Sequence, residues 1–167
     1  MPAQEIEALV SDLLDKSDIK LNRRLIAELV RDSLQLGNDA ASTLNLKIAS
    51  AAIAEMREAF AMFAPFAERK KVTIFGSART TKNDPVYKQT QAVAGKLASN
   101  GWMVVTGAGP GIMEAGMSGA GREMSIGVSI RLPFETSANE VIAGDEKYVA
   151  MRYFFTRKLM LVKESQA

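Results

Sequence analysis

Trp102-Met103-Val104-Val105-Thr106 is a short apolar run that passes without a spacer into Gly107-Ala108-Gly109-Pro110-Gly111, and a helical pattern starts near Ile112. An apolar, β-branched run bounded by glycine reads as a buried strand. A strand that turns straight into a helix leaves few architectures open, because the helix has to fold back onto a sheet. The same arrangement stands upstream. Val72-Thr73-Ile74-Phe75 ends in Gly76-Ser77-Ala78, and Asp84-Pro85 then opens a helix, with Asp as N-cap and Pro at the first helical position. Val86, Thr90, Val93 and Leu97 fall on the inner face of that helix, and Gly101 closes it. Met124 to Ile130 reads as a third strand and Leu132 to Asp145 as a loop. A helix follows over about Met151 to Lys163, after a short strand around Tyr148-Val149. Strands and helices alternating in this way imply a parallel sheet with right-handed crossovers.

The first 68 residues carry a different pattern. Ile6, Leu9, Val10, Leu13 and Leu14 follow the spacing of one helical face, and Leu21, Leu25, Leu29 and Val30 repeat it. Gly37-Asn38-Asp39 reads as a stop and restart, glycine ending one helix and Asn or Asp capping the next. A third helix is expected from about Ala40 to Phe63, burying Ile53, Met56, Phe60 and Phe63, with Pro65 ending it. The fold class is therefore α/β: a partial Rossmann-like parallel sheet over residues 69–167, preceded by an all-helical region over residues 1–68.

Composition removes several classes of chemistry. The chain has no cysteine and no histidine, which excludes disulfides, thiolate zinc sites and His-based catalytic triads. Its 21 basic and 19 acidic residues nearly cancel, which argues against a nucleic-acid partner. The acid-bearing N-terminal segment lacks the pattern of a secretory signal, and no stretch is long and apolar enough for a membrane span. A soluble cytoplasmic protein without a membrane partner is expected. The helices over residues 1–68 are expected to mediate packing or oligomerisation, and Arg69-Lys70-Lys71 to be a solvated edge.

The two strand-to-helix turns are the candidate sites. A helix begins with unpaired N–H groups and the positive end of its dipole, which together attract an anion. Glycines let backbone approach a phosphate closely. Gly107, Gly109 and Gly111 have this context, but no Lys-Ser/Thr follows them and the dinucleotide fingerprint spacing is absent. The loop is either a nucleotide-related site or a structural turn. Gly76-Ser77-Ala78-Arg79 offers a hydroxyl and free amides to a phosphate, a ribose or a base edge, or is a plain turn. Gly116, Gly119 and Ala120 read as close packing, and Tyr153-Phe154-Phe155 as core rather than a stacking platform. Glu114 and Glu123 are expected to be solvated.

Val72-Thr73-Ile74-Phe75-Gly76-Ser77-Ala78-Arg79, Thr106-Gly107-Ala108-Gly109-Pro110-Gly111-Ile112-Met113 and Phe154-Phe155-Thr156-Arg157-Lys158, in this order, resemble the LOG family, also labelled lysine decarboxylase-like. The resemblance covers about residues 70–167. It implies hydrolysis of the N-glycosidic bond of a nucleoside 5′-monophosphate such as AMP, giving free base and ribose 5-phosphate. It implies Arg157 as the catalytic-site arginine, unless that residue is merely salt-bridged on its helix. Gly76, Ser77, Arg79, Thr106, Gly107, Gly109, Gly111, Met113 and Lys158 become substrate-binding positions, and the loop from Arg131 to Glu135 is expected near the nucleotide. No cofactor and no metal is implied. No lysine stands out as a pyridoxal Schiff-base residue.

The family's second signature, P-G-G-x-G-T-x-x-E, does not occur in the sequence. It supplies a phosphate loop and the catalytic glutamate, and Glu164 has no glycine loop around it. The resemblance thus implies a truncated chain, inactive alone. A non-catalytic carrier of a nucleotide or phosphorylated cofactor, as among molybdenum-cofactor carriers, and an interaction protein are the alternatives. The sheet edge at Val72 to Phe75 is expected to need a cover: the helical arm, a partner chain or a second copy in a homodimer.

Overall fold

The computed structural model describes the backbone of residues 3–132 and 138–167, with side chains from Glu5 onward. A helical N-terminal region is followed by a four-stranded parallel sheet with helices. Two compact units divide inside the third helix, residues 1–49 and residues 50–167.

In the first unit, α1 (Ala3–Lys16) and α2 (Arg23–Asn38) pack through Val10, Leu14 and Ala27, with Ile6, Ile26 and Val30 around them. Arg31 makes a two-pronged ion pair with Glu7, both contacts at 2.7 Å, and Arg23 meets Asp15 at 2.7 Å. Leu9, Leu13, Leu25 and Leu29 of the expected stripes stay exposed, because two helices share one narrow seam that does not reach the rest of each apolar arc. Gly37 lies inside α2 rather than ending it. The chain reverses at Ala40, whose φ is 52°. The next helix, α3 (Thr43–Phe63), is started by Ser42, whose Oγ accepts the Asn45 N–H at 3.2 Å.

The second unit holds β1 (Lys71–Thr73), β2 (Met103–Thr106), β3 (Ser125–Ile130) and β4 (Tyr148–Met151), hydrogen-bonded in that order and all parallel. The helices between and after them are α4 (Pro85–Ser99), α5 (Ile112–Ala120) and α6 (Phe154–Lys163). One sheet face presents Met103, Val105, Ile126, Val128, Val149 and Met151 to Ala59 and Phe63 of α3 and to Met160 and Leu161 of α6. Truncating one large side chain of such a core to alanine costs about 2–5 kcal/mol. The opposite face carries α5, where a Cβ on Gly116 would lie 3.5 Å from Thr106 and 3.6 Å from Val104.

Two expected helix faces are corrected. Asp84 does cap α4, its Oδ1 accepting the Val86 N–H at 2.8 Å, but the buried residues are Tyr87 and Ala94, while Val86 and Val93 face solvent. Backbone contact between α4 and α5 explains this: a Cβ on Gly119 would stand 2.0 Å from the Gln91 carbonyl, so only small side chains fit between the two helices. On α3, Ile53 and Phe60 are exposed, and Ala52, Glu55, Ala59 and Phe63 are buried.

Lys71 is likewise not a solvated edge residue. It is 1% exposed, and its ammonium donates to the carbonyls of Phe66 at 2.7 Å and Arg69 at 2.8 Å, closing the short 3-10 turn that follows α3. The outer edge of β1 is lined by the last residues of the chain: Thr73 N–H donates to the Ala167 carbonyl at 2.8 Å, and Gln166 N–H to the Lys71 carbonyl at 2.9 Å. Among the described residues no helix is long and apolar enough to cross a membrane.

Candidate functional site

A cleft of about 730 Å³ opens beyond the carboxyl ends of β2 and β3 and against β4, the edge where open parallel sheets bind ligands. The volume suits a small organic ligand. Its floor is the glycine loop between β2 and α5, and that loop is held from three directions. The buried Thr106 hydroxyl accepts the Ala108 N–H at 3.0 Å. Ala108 adopts a φ of 58°, and its carbonyl accepts the Asn139 N–H at 2.8 Å, while the Asn139 amide donates to the Gly109 carbonyl at 3.1 Å. On the far side, Gly111 sits at a φ of 68°, and a Cβ there would stand 2.3 Å from the Ser77 carbonyl. That carbonyl accepts the Ile112 N–H at 3.0 Å, so the two glycine loops are stitched back to back.

Arg157, from the first turn of α6, reaches over this floor. Its Nε donates to the Val128 carbonyl at 3.0 Å, and a Cβ on Gly107 would stand 2.1 Å from its Nη2. Glycine at 107 is therefore what lets the guanidinium lie flat across the loop. Burial lowers the Arg157 guanidinium from its ordinary value, yet it has no carboxylate partner among the described residues. Arg131 also lines the cleft, its Nε donating to the Ala150 carbonyl at 2.9 Å. Ser129 and Tyr148, also in the lining, share a hydroxyl–hydroxyl hydrogen bond of 2.7 Å. Phe154, 59% exposed, forms an apolar rim. No Asp or Glu is among the described residues lining the cleft. Two guanidiniums and the start of a helix, with no carboxylate among the described lining residues, are chemistry that suits an anion.

Residues 69–153, more than half of the chain, match the family model of the SLOG cluster4 family. The chain belongs to the SLOG cluster4 family. No curated protein matches it. The matched stretch runs from before β1 to the threshold of α6, so the SLOG match takes in both glycine loops and all four strands. A SLOG-type domain is nucleotide-related.

Of the residues singled out in the sequence, the SLOG cleft brings together Gly107, Gly109, Met113 and Arg157. Gly111 and Thr106 lie beneath the surface and shape the loop rather than line it. Gly76, Ser77 and Arg79 are exposed on the β1 loop, where Ser77 Oγ accepts the Arg79 N–H at 3.1 Å; Ala78 is the member of that loop at the cleft wall. Lys158 is exposed and outside the cleft lining. Phe154 and Phe155 are exposed instead of buried in the core, with Phe155 stacked on Tyr153 at 5.6 Å. Glu114 is not free in solvent: Lys82 holds it at 2.7 Å, and that hydrogen bond, followed by the Glu114 charge, raises the Lys82 ammonium. Pro133 to Glu135 lie outside the described residues.

Sequence reasoning missed Ser129, Tyr148 and Asn139. For Ser129 the available signal was its place at the carboxyl end of a parallel strand. Asn139 lies within the long connection after β3 and Tyr148 follows it, and nothing local ties either to the glycine loop.

Proposed function

We propose that this SLOG domain binds a nucleoside 5′-monophosphate such as AMP, in the manner of the LOG-type phosphoribohydrolases among SLOG relatives. The observation that carries the reading is the pairing of Arg157 with the glycine loop at the start of α5 in a cleft whose described lining has no acid. In this arrangement the phosphate lies over the N-terminus of α5 between Arg157 and Arg131. A bidentate guanidinium–phosphate contact is among the stronger charge-assisted hydrogen bonds. The Ser129–Tyr148 hydroxyl pair supports contacts to ribose hydroxyls, and Phe154 supports contact with the base.

Cleavage of an N-glycosidic bond passes through an oxocarbenium-like state that a carboxylate stabilises. None of the described cleft residues supplies one. Among the described residues the cleft therefore has the groups to bind the nucleotide and none to stabilise that state. The same observation favours a second reading, a carrier of a phosphorylated ligand. Calorimetric titration with AMP and with ribose 5-phosphate, alongside chromatographic detection of adenine, tests the proposal. Saturable AMP binding lost in Arg157→Ala, with no adenine above background, is expected. Adenine release abolished by Arg157→Ala would show that the chain is itself a hydrolase, and binding of phosphate esters without preference for nucleotides would favour the carrier.

A further inference from the structure

Glu55 is a buried carboxylate, 7% exposed, in a helix far from α6 in sequence. It has no basic partner among the described residues. Burying a carboxylate is costly unless several donors reach it. Here one oxygen accepts the Arg152 N–H at 2.6 Å. The other accepts the Tyr153 N–H at 3.3 Å and the Thr156 hydroxyl. These donors belong to the link between β4 and α6 and to the first turn of α6. Tyr153 occupies the N-cap position of α6 and offers no capping side chain. A capping-box glutamate normally sits at the third helical position and reaches back to the N-cap amide. That position is Thr156, and the acceptor arrives from α3 instead.

We infer that Glu55 is the positioning residue for Arg157, capping α6 from outside so that the guanidinium is delivered over the glycine loop. The inference deepens the nucleotide reading and rests on it for the ligand, though not for the geometry. Arg157 follows Thr156 directly, and its own N–H donates to the Tyr153 carbonyl at 3.1 Å, so the three residues that define the start of α6 all touch Glu55 or its direct partners. The cap also places a carboxylate at the positive end of α6. Without Glu55, the link from Arg152 to Tyr153 loses its acceptors and the first turn frays, taking Arg157 away from Val128.

The test uses the full chain with selectively ¹⁵N-arginine-labelled protein. The Arg157 Nε–H resonance, identified by its disappearance in Arg157→Lys, reports the bond to Val128 without any ligand. It is expected to be protected from exchange in the wild type, lost in Glu55→Ala and weakened in Glu55→Gln, whose amide can accept but brings a donor where acceptors are needed. Asp84→Ala, which uncaps α4 instead, controls for general loss of stability and should leave the resonance in place. With AMP as probe, Glu55→Ala should bind about tenfold more weakly, within the range for directly coupled residues, and should add nothing in an Arg157→Ala background. An Arg157 resonance as well protected as in the wild type, in folded Glu55→Ala or Glu55→Gln, overturns the inference. If Glu55→Ala does not fold, Glu55→Gln decides. If the wild type binds no AMP while the resonance behaves as expected, the nucleotide reading falls and the positioning role stands.

Discussion

Replacing Gly107 by alanine separates the stability of the domain from the competence of its cleft. The new Cβ would stand 2.1 Å from Arg157 Nη2 and 2.8 Å from Met113 Sδ, both far ends of flexible side chains rather than backbone. Neither is anchored by main chain at the clashing atom, so each can swing aside. The stability cost is then the Arg157–Val128 hydrogen bond, about 1.5–3 kcal/mol for a charged donor. The loss of backbone freedom in the unfolded chain returns about 0.4–1 kcal/mol, since Gly107 is not in the left-handed region. The net destabilisation should be about 1–2 kcal/mol, a few degrees in Tm. Binding suffers more, because the displaced guanidinium no longer reaches the anion. One charge-assisted contact of about 1.5–3 kcal/mol corresponds to a roughly ten- to hundredfold weaker Kd for AMP. Thermal denaturation and calorimetric titration on the same preparation give both numbers. Wild-type affinity in Gly107→Ala, or a fall in Tm as large as that of a core truncation, would refute the account of Arg157 lying across the loop.

Two further outcomes are expected. Gly119→Ala drives a methyl group against the Gln91 carbonyl, a backbone atom that cannot step aside, so α4 and α5 must separate; urea denaturation should show a loss of about 2–3 kcal/mol. For Asp145, burial would raise the carboxyl, but the hydrogen bonds from Lys147 and the charges of Lys147 and Arg122 outweigh it and hold it below its ordinary value. A depressed carboxylate contributes stability that is complete above its unfolded pKa and is lost as pH falls through the lower folded value. Denaturation midpoints measured down through the acid range should therefore fall less steeply below the unfolded pKa in Asp145→Asn than in the wild type, and identical slopes would remove Asp145 from the acid response.

Much of this architecture is written locally. The run from Trp102 to Gly111, the Asp84-Pro85 cap and the apolar stretch from Met124 to Ile130 name their elements because strand length, glycine φ freedom and capping chemistry are decided within a few residues. The glycine loop was legible for the same reason, whereas Arg157 came only from the family resemblance of the segment from Phe154 to Lys158. What the tertiary structure decided is which arc of each helix is buried. Periodicity proves a helix amphipathic, but the neighbour chooses the contact: α4 turns Ala94 inward and Val93 outward because α5 approaches too closely for a valine. Glu55 is the extreme case. In sequence it reads as a polar residue between apolar neighbours. Only the arrival of the uncapped start of α6 gives that carboxylate three donors and makes its burial tolerable. The chain alone determined the strand-to-helix turns and the cap of α4, but not the end of α2, which runs through Gly37. Long-range backbone amides, which no local pattern encodes, decided how the arginine is held over the cleft.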